Sequence, residues 1–462
     1  GIMTFTSCIF IFGLIIWFVL LYNLIGRNKS KITGKVVLLF IANSIFYIFG
    51  GVRAFLFLCC YSLMIWFFSF ILTKYRNRVL FTVIIACTIA PLLMIKYLNF
   101  AIFGINSIFN SGIQPVSILI PMGISFFTFE AVSFLADVYN EKIKDKPSIL
   151  NVYLYLSFFT TVTSGPIIRF KEFNQGLRNN LQTINYANAI ERIMIGLCKK
   201  VLIADKISVL ANYYFDGVAL GNQYSSIGLW LGSIAYTLQL YFDFSGYSDI
   251  AIGIGQLLGF SIRENFNKPY QAGSISDFWK RWHISLTQWF RDYVYIPLGG
   301  NRCSIPRHIL NMLSVWLLTG IWHGTDLSFI LWGLGYFVLL VIEKYIPFMK
   351  KLENTIIGRL YTLFFVNLLW ILFRADNLKT AAIYIKGLFS NITIGIEDKA
   401  MRFIPFILCC ILLCFPWNKL FAKWSKKKWF ALVRGILLIM LSIMVIAGIV
   451  NSAYTPYIYG NF

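Results

Sequence analysis

The sequence predicts an all-α polytopic membrane protein with about 10–12 transmembrane helices and further re-entrant or interfacial helices. Of its 462 residues, 58% are hydrophobic and only 13% are charged, whereas an ordinary soluble domain carries about 25% charged residues. The mean hydropathy is +0.71. Because one span takes roughly 20 residues, the hydrophobic residues could supply at most about 13 spans. An ordinary soluble domain is therefore excluded.

The charge distribution also indicates a membrane protein. The chain has 41 Lys and Arg against 19 Asp and Glu, a net charge of +22. The basic residues fall in short clusters between apolar runs, as the positive-inside rule requires, so the charge needs no nucleic-acid partner. The same rule predicts extracytoplasmic N- and C-termini. The nine cysteines lie mostly inside apolar runs and form no metal-binding pattern.

Regular apolar runs occupy both ends of the chain, and an irregular region lies between them. We expect one membrane domain over 1–462, with a catalytic core at about 120–340, an uncharged loop over 97–116 and an extracytoplasmic tail over 451–462. Charged residues interrupt 164–308, and charged backbone at membrane depth must be buried or line a wet cavity. The predicted spans lie near 8–24, 36–49, 54–72, 79–95, 117–136, 150–163, 357–373, 402–416 and 430–450.

His323 interrupts an apolar stretch from Ile309 to Ile342 that has basic residues on both sides. Both ends should be cytoplasmic, so the chain should enter the membrane and return. The first arm, 309–322, would be about 21 Å of helix, short of a hydrocarbon core of about 30 Å. His323 is then expected near an apex inside the membrane. His323 could cap a helix ahead of Gly324. Alternatively it has a functional role, because an ionisable group inside the membrane is costly and usually marks a functional site.

A basic, tryptophan-rich stretch surrounds His283. Trp279, His283 and Phe290 recur at helical spacing, which predicts one continuous helix. It could lie in the headgroup layer. Alternatively it forms a cytosolic mouth, in which basic side chains bind phosphates and aromatic rings pack a nucleotide or acyl chain. The candidates for such a mouth are Trp279, Lys280, Arg281, Trp282, Arg291 and Asp292.

Two carboxylates, Asp243 and Asp249, lie in an apolar context and need partners if they are buried. We expect those partners among Arg169, Lys171, Arg281 and Arg291, and we interpret the acids as walls of a site or structural ion pairs. Glu130 poses the same question. No nucleophile elbow, P-loop or zinc-protease motif occurs, so soluble hydrolase, ATPase and zinc-protease activities lack support.

Four ordered stretches resemble the membrane-bound O-acyltransferase family. They are Pro121–Phe129, Thr163–Phe170, Tyr241–Arg302 and Thr319–Gly324. The run Pro297-Leu298-Gly299-Gly300-Asn301-Arg302 is similar to the alginate O-acetylation branch of that family. The teichoic acid D-alanylation branch is similar through the tryptophan-rich helix but lacks this run.

The resemblance implies helices around a central tunnel and transfer of an acetyl group from cytoplasmic acetyl-CoA across the membrane, without a bound cofactor or metal. The acceptor would be an exported or cell-wall polysaccharide, reached with an extracytoplasmic acyltransferase partner. The family's catalytic histidine corresponds to His323, and the histidine of its Arg-Trp-His stretch to His283. Trp322 would line the tunnel. Near the end of the chain, Tyr459 lies in a motif similar to one implicated in handing the acyl group onward; interfacial anchoring is the alternative.

Acyl transfer from a thioester needs a base and a group that holds the developing oxyanion. A neutral His323 can be the base, while His283, Asn311 or a tryptophan indole N–H could assist. A covalent acyl-histidine is also chemically possible. The rival functions are D-alanyl transfer, a transporter, which would also have buried acids and a broken helical hairpin, and a non-catalytic scaffold.

Overall fold

The computed structural model describes residues 15–26, 32–118, 120–144, 146–179, 184–417, 421–424 and 427–451. Over these residues the chain is helical and forms no β-strand. The predicted all-α class is therefore confirmed. The described chain divides into two compact units. The first comprises residues up to Ile193 together with Ser248–Arg263, and the second comprises Met194–Tyr247 and the chain from Glu264 onward.

The helices of the N-terminal half precede the tryptophan-rich stretch. They are α1 (Ile16–Gly26), α2 (Ile32–Phe49), α3 (Val52–Lys74), α4 (Arg78–Phe109), α5 (Ile124–Tyr139), α6 (Ile149–Leu156), α7 (Phe170–Arg178), α8 (Tyr186–Leu197), α9 (Asp205–Ala219) and α10 (Ser226–Leu257). A π-helical segment, Cys198–Ala204, joins α8 to α9 without a break.

The helices of the C-terminal half include two very short ones and a long hairpin. They are α11 (Ile275–Arg281), α12 (Ile284–Phe290), α13 (Ile305–His323), α14 (Leu327–Tyr345), α15 (Pro347–Leu352), α16 (Ile356–Arg374), α17 (Leu378–Ser390), α18 (Asp398–Leu413) and α19 (Lys428–Asn451). A π-helical segment, Arg291–Tyr295, continues α12.

Among the described residues, five helices are long and apolar enough to cross a membrane: α3, α4, α14, α16 and α19. The protein is therefore a multi-pass membrane protein. The predicted total of about 10–12 spans stays a prediction, as does the arrangement as one domain. Several helix boundaries differ from those predicted. Helix α4 continues to Phe109, where Asn110 ends it in the left-handed conformation, so residues 97–109 of the predicted 97–116 loop are helical.

The first unit contains a helix that is enclosed on all sides. Every residue of α5 from Ile124 to Val138 is buried, including Glu130, near which the charge of Arg169 lies. Asn43 on α2 donates to the Ser157 hydroxyl at 2.9 Å, and Tyr155 donates to the Ile168 carbonyl at 2.8 Å. Such bonds satisfy polar groups that would otherwise be costly to bury.

The second unit contains the predicted hairpin, formed by α13 and α14. A Cβ added at Gly320 would lie 2.6 Å from the carbonyl oxygen of Phe329, and one at Gly333 would lie 2.5 Å from that of Trp316. The two helices therefore approach so closely that only glycine fits at these positions. The first arm begins at Ile305, earlier than predicted, because Pro306 suits the first turn of a helix. Nineteen residues make it about 28 Å long.

We expect Gly333→Ala to destabilise the hairpin by about 1–3 kcal/mol, because the added methyl must push a helix backbone away. The measurement is the thermal unfolding temperature of the detergent-purified protein. Gly435→Ala in α19 is the matched control, since nothing lies within 4 Å of its added Cβ. Equal unfolding temperatures for the two variants would contradict the close approach.

Candidate active site

His323 is the last residue of α13 and is only 4% exposed. Aromatic rings surround it: the centroids of Trp332 and Phe373 lie 5.0 Å from that of the imidazole, and that of Trp322 lies 4.6 Å away. The following helix starts at once, because Asp326 accepts from the Ser328 N–H at 2.8 Å and caps α14. The imidazole is thus fixed at the closed end of the hairpin, in apolar surroundings.

A cavity of about 500 Å³ lies beside α13, and basic residues are among those that line it. The α13 residues that line it are spaced as one helical face: His308, Met312, Val315, Trp316 and Thr319. From His308 to Thr319 the helix rises about 16 Å. Thr319 lies one turn, about 6 Å of rise, before His323. The cavity therefore leads along the helix that ends at the buried imidazole.

The lining of this cavity combines charged and aromatic side chains. Four cations line it, Lys280, Arg291, Lys344 and Lys350, with Glu343 and Glu353 as the acids. The apolar part of the lining includes Trp279, Trp316, Leu286 and Phe290. Of the predicted tunnel residues, Trp279, Lys280 and Arg291 therefore line the cavity. Sequence reasoning used Lys344 and Lys350 only for topology and missed His308 and Trp316 as lining residues.

The predicted continuous helix around His283 is wrong. Helix α11 ends at Arg281, Trp282 is extended, and His283 has a φ of +43° before α12 begins at Ile284. A left-handed non-glycine residue is uncommon and breaks a helix. Here Asn265 favours it, because its side-chain oxygen lies 3.2 Å from His283 Nδ1 and accepts from the Ser285 N–H at 3.1 Å. Trp279 and His283 therefore do not share one helical face.

His283 is 1% exposed, and its ring lies edge-on to Phe244 with centroids 4.7 Å apart. Burial lowers the pKa of His283 to about 3. Neither seven-residue helix beside it is long enough to span a membrane. The imidazole is therefore neutral at physiological pH, and it is not among the residues that line the cavity.

Polar groups of the hairpin hold the cavity walls in place. Both carboxylate oxygens of Glu343 accept backbone N–H bonds from the first turn of α11, from Ile275 at 2.7 Å and Ser276 at 2.9 Å. His308 lies between two tyrosine hydroxyls, Tyr295 at 2.7 Å from Nε2 and Tyr345 at 2.5 Å from Nδ1. The walls that carry Trp279, Lys280 and Arg291 are thus anchored to α13 and α14.

Asn311, predicted as a site residue, has a structural bond in this wall. Its side-chain N–H donates to the Gly300 carbonyl at 3.0 Å. Two glycines with positive φ, Gly299 at +112° and Gly300 at +56°, form the turn that brings this carbonyl to α13. This bond ties Asn311 to the Pro-Leu-Gly-Gly-Asn-Arg run.

The buried acids pair with cations that the sequence did not single out. Asp243 is 2.7 Å from Lys200 Nζ, and the same ammonium lies 2.9 Å from Asp205. Asp249 pairs with Arg192 at 2.7 Å. The π-helical segment before α9 buries Lys200 and brings it to Asp243, a local distortion that the sequence pattern does not reveal. Asp243 is therefore part of a buried ion cluster.

The remaining predicted residues have identifiable surroundings. Arg281 pairs with Asp277 at 2.9 Å, and Arg291 pairs with Asp292 at 2.8 Å. Trp282 is buried, with ring contacts to Phe278 and Trp370. Tyr459 lies outside the described residues, so its role as an acyl relay stays a prediction.

The model of the membrane-bound O-acyltransferase family matches residues 123–381, more than half of the chain, and this match contains the cavity and His323. The chain belongs to the membrane-bound O-acyltransferase family. It is therefore an O-acyltransferase, as predicted.

Three relatives within the membrane-bound O-acyltransferase family bear on the branch. The probable alginate O-acetylase AlgI of Pseudomonas aeruginosa is 36% identical over 403 residues, covering 84% of this chain and 75% of the relative. The peptidoglycan O-acetyltransferase of Helicobacter pylori is 36% identical over 325 residues, 63% of this chain and 61% of the relative. The teichoic acid D-alanyltransferase of Bacillus subtilis is 30% identical over 244 residues, 50% and 60% of the two chains.

We expect His283 to make the protein sensitive to acid. Its pKa rises from about 3 when folded to about 6.5 when unfolded, so the unfolded state binds an extra proton below pH 6.5. The free energy of unfolding should then fall by about 1.4 kcal/mol for each pH unit below 6.5. Unfolding temperatures at pH 7.5 and 5.0 measure this fall, and His283→Asn should reduce it. If the unfolding temperature of the variant falls between pH 7.5 and 5.0 as much as that of the wild type, the acid sensitivity does not come from His283.

Proposed function

We propose that the protein takes an acetyl group from cytoplasmic acetyl-CoA and passes it across the membrane for O-acetylation of an exported or cell-wall polysaccharide. One observation carries this proposal: cations and aromatic rings line the cavity, and its lining reaches Thr319, one helical turn before His323. The O-acetyl-transferring relatives, at 36% identity, favour an acetyl group over D-alanine. The acceptor class follows from the names of those relatives.

The charge of the cavity suits a donor that carries phosphates. The four cations of the lining exceed the two acids, Glu343 and Glu353, and cationic side chains bind phosphate oxygens through charge-assisted hydrogen bonds. The aromatic part of the lining suits the thioester arm, because Trp279 and Trp316 offer large ring surfaces that contact each other. The donor's phosphates would stay near Lys280 and Lys350 while its acyl end points toward Thr319.

His323 is the proposed general base. The acceptor hydroxyl oxygen attacks the thioester carbon, and its proton moves to the imidazole; the C–S bond then breaks and the thiolate takes that proton. No proton is gained or lost overall. The aromatic rings around His323 exclude water, which protects the thioester from hydrolysis. A positioned base of this kind contributes roughly 100- to 10,000-fold.

The proposal also includes a direction. The basic flanks of the hairpin face the cytoplasm by the positive-inside rule, so the donor enters there, and both chain termini are extracytoplasmic. An extracytoplasmic acyltransferase partner then completes attachment to the polysaccharide. His283 has a supporting role in this scheme, because it fixes the turn that joins α11 to α12.

We expect His323→Ala to abolish release of free CoA from acetyl-CoA by the purified protein assayed with its partner enzyme. The rate should fall by at least 100-fold, since the variant has no base. Thiol release measured with a chromogenic disulfide reports the rate, and unfolding temperatures show that the variant is folded. If the variant releases CoA at the wild-type rate, His323 is not the base. If the wild type itself releases no CoA, acetyl-CoA is not the donor.

We expect Lys280→Gln to raise the KM for acetyl-CoA roughly two- to five-fold, because an exposed ion pair contributes up to about 1 kcal/mol. The value of kcat should not change. Acetyl-pantetheine has no phosphate, so its KM should be the same for wild type and variant. Lys379→Gln, an exposed lysine away from the cavity, is the control. An equal rise in KM for both donors would show that Lys280 does not bind phosphate.

A further inference from the structure

Helix α14 is apolar, but one of its faces carries three hydrogen-bond donors. Ser328, Trp332 and Tyr336 are spaced four residues apart, so their side chains lie on the same face, about 6 Å of rise from one to the next. All three are fully buried, at 0% exposure. We refer to Ser328, Trp332 and Tyr336 as the α14 donor face.

These donors have no acceptor among the described residues. Ser328 Oγ, Trp332 Nε1 and Tyr336 Oη make no hydrogen bond there, and the same holds for the neighbouring Trp279 Nε1. Buried polar groups are nearly always bonded, and a buried donor without an acceptor costs about 1–3 kcal/mol.

The same unit does satisfy comparable groups elsewhere. Tyr384 donates to the Leu229 carbonyl at 2.8 Å, and Tyr270 donates to the Thr237 carbonyl at 2.6 Å. Along the α14 donor face three consecutive donors lack such a partner among the described residues, so an acceptor from outside the protein could bind them.

Two rings of the α14 donor face contact the rings that line the cavity, and one of them also contacts His323. The ring of Tyr336 is 4.9 Å from that of Trp279 and 5.3 Å from that of Trp316, both of which line the cavity. The ring of Trp332 is 5.9 Å from Trp279 and 5.0 Å from His323, nearly perpendicular to the imidazole at 84°. Trp332 thus contacts the proposed base on one side and the cavity wall on the other.

We propose that Trp332 Nε1–H is the oxyanion donor of the acyl transfer, an inference that rests on the proposed function. When the acceptor oxygen attacks the thioester carbon, the C=O electron pair moves onto the carbonyl oxygen, and the indole N–H donates to that oxyanion. Collapse restores the C=O bond and breaks the C–S bond, and the thiolate takes the proton held by His323. Trp332 neither gains nor loses a proton.

An indole suits this position for two reasons. It is a donor only and does not ionise, so it offers its N–H at every pH. In a dry site a fixed donor needs no reorganisation as charge develops. His283 and Asn311, the other candidates that sequence analysis left open, already bond to Asn265 and Gly300.

The test is Trp332→Phe, which keeps a ring and removes the N–H. Removal of one oxyanion donor lowers kcat by about 100- to 1,000-fold, and the KM for acetyl-CoA should stay within about two-fold. Trp66→Phe is the matched control: it also removes an indole N–H, which donates to the Pro147 carbonyl at 3.1 Å in the first unit, and should leave kcat unchanged.

Two further measurements separate a catalytic role from a structural one. Replacement of Trp332 by benzothienylalanine, which has the same shape but no N–H, should lower kcat as much as phenylalanine does. A CoA trifluoromethyl ketone, whose hydrate mimics the tetrahedral intermediate, should bind the variant far more weakly than wild type. An unreactive CoA thioether should bind both equally.

The outcomes are distinct for the two proposals. If both Trp332 variants keep kcat within about three-fold of wild type while His323→Ala is inactive, the oxyanion role is rejected and the proposed function stands. Equal weakening of the ketone and the thioether would also reject it, because Trp332 would then shape the site only. If the wild type releases no CoA, the proposed function fails and the role of Trp332 fails with it.

Discussion

The site depends on the close approach of α13 and α14. Gly320 and Gly333 let the helix backbones touch, where any Cβ would meet a carbonyl oxygen at about 2.5 Å. Helices that cannot rely on the hydrophobic effect inside a bilayer associate through such contacts between small residues. The consequence is geometric: His323, one turn beyond Gly320, is held against Trp332, which directly precedes Gly333 in sequence.

The same hairpin organises the cavity walls through its polar residues. Glu343 caps α11, His308 bridges Tyr295 and Tyr345, and Asn311 holds the Gly300 turn. The bond between His308 and Tyr345 joins the two hairpin helices to each other. The other bonds join a hairpin helix to a short segment that cannot fold stably alone. A rigid hairpin and anchored short segments together keep the cationic and aromatic residues of the cavity lining in fixed positions.

The sequence predicted the features that follow from composition and charge. Basic flanks around an apolar stretch predicted the hairpin, and its position within that stretch singled out His323. Backbone irregularities were not predictable in this way: the left-handed His283 depends on Asn265, 18 residues away, and Lys200 reaches Asp243 through a π-helical segment. In the sequence, Trp332 and Tyr336 are indistinguishable from other residues of an apolar span, although they follow Ser328 at intervals of four residues.

The length of α13 bears on how an acyl group could cross a bilayer. Nineteen helical residues measure about 28 Å, close to the hydrocarbon thickness of about 30 Å. Moving a polyanionic donor through that layer would be prohibitive, because even one charge at its centre is costly. Under the proposed function the charged part of the donor stays beside Lys280 and Lys350, and only its thin neutral arm follows α13 toward His323. A fixed cavity can then connect the two sides without the large rocking motion of a transporter.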